Sequence, residues 1–120
     1  MPKEYKLLVA GGRDFNDYSV LTKALWDFAN ATDDEVSIIS GMARGADSLA
    51  VKWAKENSVE LYEYPANWDA YGKSAGYKRN VEMSKAADGA IIFWNGLSAG
   101  TKHMINIMEQ LHKPVILINY

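Results

Sequence analysis

The sequence predicts a Rossmann-like α/β fold, a three-layer sandwich with a five-stranded parallel sheet and helices on both faces. Short apolar runs alternate along the chain with segments in which apolar residues recur every three or four positions. Glycine-bearing loops follow several of these runs, and this alternation is typical of parallel strands joined by right-handed crossovers through helices. With 120 residues and 48% hydrophobic content, we expect one domain spanning residues 1–120.

The first third of the chain predicts a strand, a helix and a second strand. Residues 5–10 form an apolar run that ends at a glycine pair. Asp17 or Ser19 is placed to cap the helix that follows. A polar connection then leads to residues 36–39, which read as a short buried strand. The inward face of the helix consists of residues at i, i+3, i+4 and i+7, namely Leu21, Ala24, Leu25 and Phe28.

The middle of the chain predicts a helix, an edge strand and a long loop. Apolar residues recur at helical spacing across residues 46–54. Residues 59–64 alternate apolar with polar side chains, which indicates a half-buried or edge strand, and this strand stops at Pro65. Residues 66–76 then form the longest connection, and long loops in compact domains are often functional.

The last third predicts a helix over residues 77–87, a strand over 90–94, a further helix and a final strand. Residues 90–94 are almost continuously apolar, which indicates a central strand covered on both faces. Pro114 ends the last helix, and we expect residues 115–118 to form another buried strand. The inward stripe of that helix consists of Met104, Ile105, Met108 and Leu111.

Composition excludes several classes of function. The chain has no cysteine, so disulfides, thiol catalysis and sulfur-based zinc sites are excluded, and two histidines do not favour a histidine-rich metal site. The composition is compatible with a carboxylate-held Mg²⁺ ion that accompanies a phosphate ligand. The net charge of −2 argues against a surface built for nucleic acid. No run approaches the roughly 18 apolar residues of a membrane span, and Met1 to Glu4 lead into a strand rather than a signal peptide, so we expect a cytoplasmic protein.

The loop over residues 40–47 is the strongest candidate for a binding site. Gly41 and Gly45 allow positive φ and close approach of a ligand, and the helix that follows presents backbone N–H groups that suit phosphate. Arg44 adds a fork of donors for an anion. The alternative is that both glycines only turn the chain and that Asp47 only caps the helix.

Other loops at the same predicted sheet edge carry further candidate binding residues, mainly arginines and aromatic side chains. Only three of the 13 basic residues are arginines, and each lies in or beside a glycine-bearing or aromatic loop. Trp68 and Tyr71 are candidates to stack on a base, or else to plug the end of the core. Arg79 is placed near the cleft, the alternative being an ion pair with Glu82, and His103 is a further candidate near the start of the last helix. The arginines are Arg13, Arg44 and Arg79.

Four ordered blocks, residues 11–15, 40–47, 72–80 and 100–101, resemble the YspA-like (YpsA-related) branch of the SLOG superfamily over nearly the whole chain. The resemblance implies a Rossmann-like fold that binds nucleotides or their derivatives, including NAD-type and ADP-ribose-type ligands. It also allows a homodimer or higher homo-oligomer, because LOG-like relatives commonly pair as dimers. The positions that it marks as ligand-binding are Gly11, Gly12, Arg13, Gly41, Arg44, Gly45, Asp47, Arg79, Asn80, Gly100 and Thr101.

Two related families supply rival functions. LOG phosphoribohydrolases carry a glutamate two residues after their Gly-Thr pair, whereas Lys102, His103 and Met104 follow that pair here. If this chain cleaves a nucleotide, Asp14 or Asp47 would be the acid–base group, and Asp14 is also a candidate ligand contact. The DNA-processing protein DprA has a block similar to residues 40–45 and binds single-stranded DNA, which calls for a basic groove with aromatic side chains. We expect a nucleotide-derived small molecule, held by a sensor, carrier or sponge whose pocket is non-catalytic or weakly catalytic.

Overall fold

The computed structural model describes residues 3–120, so the expectation about Met1 and Pro2 lies outside the described residues. Five strands form one parallel sheet in the order β3-β2-β1-β4-β5, and helices cover both faces, which confirms the predicted Rossmann-like α/β fold. The strands are β1 (Glu4–Gly11), β2 (Glu35–Ser40), β3 (Leu61–Glu63), β4 (Gly89–Trp94) and β5 (Val115–Asn119). The helices are α1 (Tyr18–Ala31), α2 (Ala46–Glu56), α3 (Trp68–Tyr71), α4 (Ala75–Ala86) and α5 (Ala99–Gln110).

Alternate residues of the central strands supply two separate cores. Leu7 and Val9 of β1 face α1 and α2, where Trp53 fills the centre. Leu8 of β1 faces α4 and α5, where Met104 packs against it. Because each central strand is buried on both faces, its sequence reads as a continuous apolar run, as predicted for residues 90–94.

The helix starts follow local hydrogen bonding. Asp17 caps α1 by accepting a hydrogen bond from the N–H of Val20 at 3.2 Å. Ser19 instead donates to the Asp17 carboxylate at 2.8 Å, so it supports the cap rather than forming it. The residue before α2 is Gly45, and Asp47 lies within the first turn, which shows that the simple capping role considered for Asp47 is wrong.

Two elements differ from the prediction. The loop of residues 66–76 contains the short helix α3 and a single 3₁₀ turn (Gly72–Ser74), because Asn67 caps α3 by accepting from the N–H of Ala70 at 3.1 Å. The final strand is not buried: Ile116 is 47% exposed and Leu117 is 42% exposed. β5 is apolar enough for an interior strand, but the strand order places it at an edge of the sheet. β3 lies at the other edge, as predicted.

Sheet order also fixes where the loops meet. β1 and β4 are neighbours, although the chain visits β2 and β3 between them. The direction of winding therefore reverses between β1 and β4. In open parallel sheets, ligands bind in the crevice beyond the carboxyl ends of strands at such a point.

Candidate functional site

Three adjoining hollows lie where the loops after β1, β2 and β4 meet. Their volumes are about 90, 280 and 240 Å³. Arg13 and Arg79 line all three hollows, Arg44 lines the largest and Gly100 lines the other two. Segments distant in the sequence thus converge at one rim, as the glycine-bearing loops predicted.

None of the three arginines forms an ion pair with a carboxylate within residues 3–120. The two ion pairs in that part of the chain both join a lysine to a carboxylate one helical turn away. Arg13 and Arg44 are exposed, and Arg79 is partly buried. Guanidinium groups that converge without forming ion pairs keep positive charge for an anion from outside the chain.

Arg79 is held in place by the loop after β2. Its Nη1 donates to the carbonyl oxygen of Gly41 at 2.9 Å, while its buried Nε has no hydrogen-bond partner within the described residues. Burial lowers the pKa of Arg79, and the nearby positive charge of Arg13 lowers it further. The Asp47 carboxylate acts in the opposite direction and raises the pKa of Arg79. The ion pair considered between Arg79 and Glu82 is not formed.

Asp47 is a buried carboxyl beneath this loop, with 4% of its surface exposed. It accepts a hydrogen bond from the N–H of Ala43 at 3.3 Å. Burial raises the pKa of Asp47 to about 6, although hydrogen bonds from the backbone of Ala43 and Gly41 and the charges of Arg79 and Arg13 act in the opposite direction. Asp47 therefore fixes the shape of the loop that carries Arg44.

The loops after β1 and β2 are in direct backbone contact. The N–H of Ala46 donates to the carbonyl oxygen of Gly12 at 3.3 Å, so the first N–H of α2 is occupied by the protein itself. A Cβ on Gly45, whose φ is +76°, would lie 2.2 Å from that same oxygen. Gly45 is thus required by the contact between the loops. Positive φ in the loop after β2 occurs at Met42 and Gly45 and not at Gly41.

Gly41 and Gly11 serve close packing. A Cβ on Gly41 would lie 2.9 Å from the Asp47 carboxylate and 3.0 Å from the Arg79 Nε. A Cβ on Gly11 would lie 2.6 Å from the carbonyl oxygen of Phe93. These glycines allow the loops to approach one another, which is a different role from direct ligand contact.

Asn80 connects α4 to the start of α5. Its Nδ2 lies 3.3 Å from both the carbonyl oxygen of Gly100 and the Nδ1 of His103. The His103 ring meets the Tyr77 ring edge-on, with centroids 4.5 Å apart, and burial lowers the pKa of His103. Thr101 donates from Oγ1 to the Ser98 Oγ at 3.0 Å, so its hydroxyl is engaged at the beginning of the helix.

Asp14 lies outside the three hollows. Its carboxylate accepts hydrogen bonds from the Tyr120 hydroxyl and, at 3.4 Å, from the Asn95 amide. The hydrogen bond from Tyr120 is the main cause that lowers the pKa of Asp14. Burial and the Asp14 carboxylate together raise the pKa of Tyr120 to about 12. Asp14 therefore joins the loop after β1 to the end of β5, a position that does not favour an acid–base role.

Trp68 lines two of the hollows beside Arg13 and Arg79 and is 52% exposed. Tyr71 is 50% exposed and lies beneath the Lys78 ammonium at 4.8 Å from the ring centroid. Both aromatic rings reach solvent, so the prediction that they plug the end of the core is wrong. Only Trp68 is placed with the arginines.

Sequence reasoning missed two residues of the rim. Ser98 lines the smallest hollow and accepts from the Thr101 N–H at 3.4 Å, and a serine directly before a helical segment is a recognisable helix-capping signal. Lys73 lines the hollow next to Trp68 and adds a fourth cation to the rim. No local pattern distinguishes Lys73 from the chain's other lysines.

Within residues 3–120, no group of three or more His, Asp or Glu side chains is placed to hold a metal ion. No helix in the same part of the chain has the length and apolar character needed to cross a bilayer.

Comparisons with known proteins agree with this architecture. The chain is 33% identical to the Gene 61 protein of Mycobacterium phage D29 over 117 aligned residues, which cover 92% of this chain and 94% of that protein. The C-terminal domain of PF1911 hydrogenase from Pyrococcus furiosus has a similar fold, with a TM-score of 0.50, 16% identity, and coverage of 98% of this chain and 93% of that domain.

A family model matches residues 5–71, which include β1, β2, β3 and the loops that carry Arg13 and Arg44. The matched span is more than half of the chain. The chain belongs to the YspA, cpYpsA-related SLOG family.

Proposed function

We propose that the protein binds a nucleotide-derived small molecule of the ADP-ribose or NAD type and acts as a sensor, carrier or sponge. The observation that carries this proposal is the convergence of all three arginines on adjoining hollows, where none of them forms an ion pair within the described residues. Membership of the SLOG family supports a nucleotide-related role.

The shape of the rim favours a ligand with both phosphate and a planar ring. Arg13 and Arg79 are shared by all three hollows, which suits a phosphate or pyrophosphate that bridges them. Trp68 presents an exposed ring beside these cations, and a stacked base gains about 1 to 3 kcal/mol from an aromatic side chain. In this arrangement phosphate lies over the arginines and the base extends toward α3.

Cleavage of the N-glycosidic bond of a nucleotide is the second candidate, and Asp47 is the observation that favours it. A carboxyl group with a pKa of about 6 at the wall of an anion-binding hollow has the protonation behaviour of an acid–base catalyst. Against this role, the Asp47 carboxylate accepts hydrogen bonds from the loop backbone. We therefore assign Asp47 to the support of the loop.

Isothermal titration calorimetry tests the proposal with ADP-ribose, NAD, cyclic dinucleotides, nucleoside monophosphates and inorganic pyrophosphate. We expect saturable binding of at least one nucleotide, and chromatography of the mixture should detect no free base. Absence of binding at millimolar ligand would refute the proposal. Release of free base that is lost in Asp47→Ala would favour the hydrolase, and salt-sensitive binding of an oligonucleotide alone would favour a DNA-binding role.

Arg44→Ala should weaken binding of the nucleotide found in that screen by about 1.5 to 3 kcal/mol, or about 10- to 150-fold, because a charge-assisted hydrogen bond is lost. The side chain is exposed and has no ion-pair partner within residues 3–120, so thermal stability should hardly change. Lys55→Ala, an exposed cation in the last turn of α2, is the control and should bind normally. A variant that unfolds while its folded fraction binds normally would make Arg44 structural.

A further inference from the structure

The free edge of β5 differs from the free edge of β3. β3 has only three residues. Glu60 precedes it and Glu63 is its last residue, so this edge is short and charged. β5 has five residues and contains no charged residue, proline or glycine. Its apolar side chains are exposed on both faces, since Ile116 is 47% exposed and Leu117 is 42% exposed. Long, uncharged edges of this kind are templates for pairing with another strand.

Hydrogen bonds to β4 determine which backbone groups of β5 are free. The Ala90 N–H donates to the carbonyl oxygen of Pro114 at 2.9 Å, and the Tyr120 N–H donates to that of Trp94 at 3.2 Å. Because backbone groups alternate along a strand, Ile116 and Ile118 also face β4. The residues whose N–H and C=O groups point away from the sheet are Val115, Leu117 and Asn119.

This outward set is symmetric about Leu117. When two copies of β5 are placed antiparallel on a twofold axis through Leu117, Leu117 opposes its counterpart and Val115 opposes Asn119. The residues in these two kinds of pair have free backbone groups, so each such pair exchanges two hydrogen bonds. No like charges face each other across such a pairing.

We propose that a second copy of this chain is the partner of this edge, and that the two sheets join through β5 into a continuous ten-stranded sheet. The face beside α1 supports the same arrangement. There, a largely apolar groove of about 420 Å³ runs between α1 and β5, and Ile116 and Ile118 form part of its lining. In the pairing above, Ile116 of one copy lies opposite Ile118 of the other, which shields both side chains from water.

The polar rim of the groove is also self-complementary. Lys23 and Asp27 lie along it, one helical turn apart on α1, and their side chains form an ion pair 2.8 Å long. In the proposed pairing the twofold axis would run the two α1 helices antiparallel, so Lys23 and Asp27 of the two copies would follow the same seam in reverse order. Because the Lys23–Asp27 pair has no net charge, the rim offers no net attraction to a strongly basic or acidic protein, which favours a second copy of the chain.

Sedimentation or light scattering of the full chain tests the interface. We expect a dimer at micromolar concentration and a monomer for Leu117→Lys, because the substitution places two ammonium groups opposite each other. Leu97→Lys is the matched control: Leu97 is 86% exposed and lies in the loop before α5, so this variant should remain dimeric.

Cysteine cross-linking gives a second readout that does not depend on the lysine variant. The natural chain has no cysteine, so Leu117→Cys introduces a single thiol. Opposed Cα atoms in a hydrogen-bonded antiparallel pair lie about 5.5 Å apart, within the roughly 4.4 to 6.8 Å spanned by a disulfide. Mild oxidation should link Leu117→Cys into a covalent dimer, whereas Leu97→Cys should stay unlinked.

A wild-type chain that is monomeric at about 100 µM, roughly a hundredfold above a micromolar dissociation constant, would overturn the proposal. A dimer that survives Leu117→Lys and does not cross-link through Leu117→Cys would also overturn it, by placing the interface elsewhere. These outcomes are independent of nucleotide binding, because β5 residues do not line the three hollows.

Discussion

Gly45→Ala should destabilise the fold far more than a similar substitution at an open glycine. Gly45 has φ of +76° and ψ of −128°, and a left-handed backbone costs a residue with a Cβ about 1 to 2 kcal/mol. The added Cβ would lie 2.2 Å from the carbonyl oxygen of Gly12 and 2.7 Å from the carbonyl carbon of Arg13. Relief of such an overlap costs about 1 to 3 kcal/mol more.

The carbonyl of Gly12 cannot move aside without loss. It accepts hydrogen bonds from the N–H groups of Phe15 at 3.2 Å and Ala46 at 3.3 Å. We therefore expect a loss of about 2 to 5 kcal/mol in the free energy of unfolding, a large part of the stability of a small domain. Because the loops after β1 and β2 separate, nucleotide binding by the folded fraction should also weaken.

Urea denaturation of purified Gly45→Ala, followed by circular dichroism, measures this loss. Gly96→Ala is the matched control: Gly96 has φ of +85°, but a Cβ added there would meet no atom within 4 Å. Gly96→Ala should lose only about 1 to 2 kcal/mol in the free energy of unfolding, the cost of placing a residue with a Cβ at positive φ. Equal losses in the two variants would contradict the proposed contact between the loops.

Two further predictions concern the rim and the buried carboxyl. Trp68→Ala should weaken nucleotide binding by about 1 to 3 kcal/mol while leaving pyrophosphate binding unchanged in calorimetry, because only the base loses its stacking partner; equal weakening of both ligands would refute stacking. The pKa of Asp47 rises from 3.8 in the unfolded chain to about 6 in the fold, so the folded state binds the proton more tightly. The protonated Asp47 therefore contributes to the free energy of unfolding at low pH, and this contribution is lost as pH rises from about 4 to 6. That pKa difference corresponds to about 3 kcal/mol. Denaturation at each pH should show a loss of this size in the free energy of unfolding of the wild type but not of Asp47→Ala. If the free energies of unfolding of both proteins change in parallel with pH, Asp47 is not the source of the pH dependence.

The sequence was most informative about local structure. Apolar periodicity located the four long helices and all five strands, because a helix or strand face must be buried and its spacing is visible in the sequence. The convergence of Arg13, Arg44 and Arg79 was also predictable, since the loops at the carboxyl ends of parallel strands meet at one sheet edge.

The order of the strands and the individual partners of buried side chains were not predictable. The apolar run of β5 matches that of β4, and only the strand order decides that β4 is central and β5 is an edge. Asp47 and Asp14 have the same side chain beside similar glycine loops, yet Asp47 is buried under Arg79 and Asp14 is bonded to Tyr120. Single-residue patterns carry no information about those partners.

The partly buried Arg79 and the buried Asp47 lie close to one another and partly compensate each other's charge. Either group alone would be costly to bury: an unpaired carboxylate loses hydration, and so does a guanidinium. Together with the backbone of Gly41 they are partly compensated, but the Arg79 Nε is left without a partner among the described residues. Because Asp47 offsets only part of the positive charge of Arg13 and Arg79, the rim keeps a field that favours an anion. A phosphate at the rim would lie in this field and accept hydrogen bonds from the exposed guanidinium groups of Arg13 and Arg44, which gives the proposed binding its physical basis.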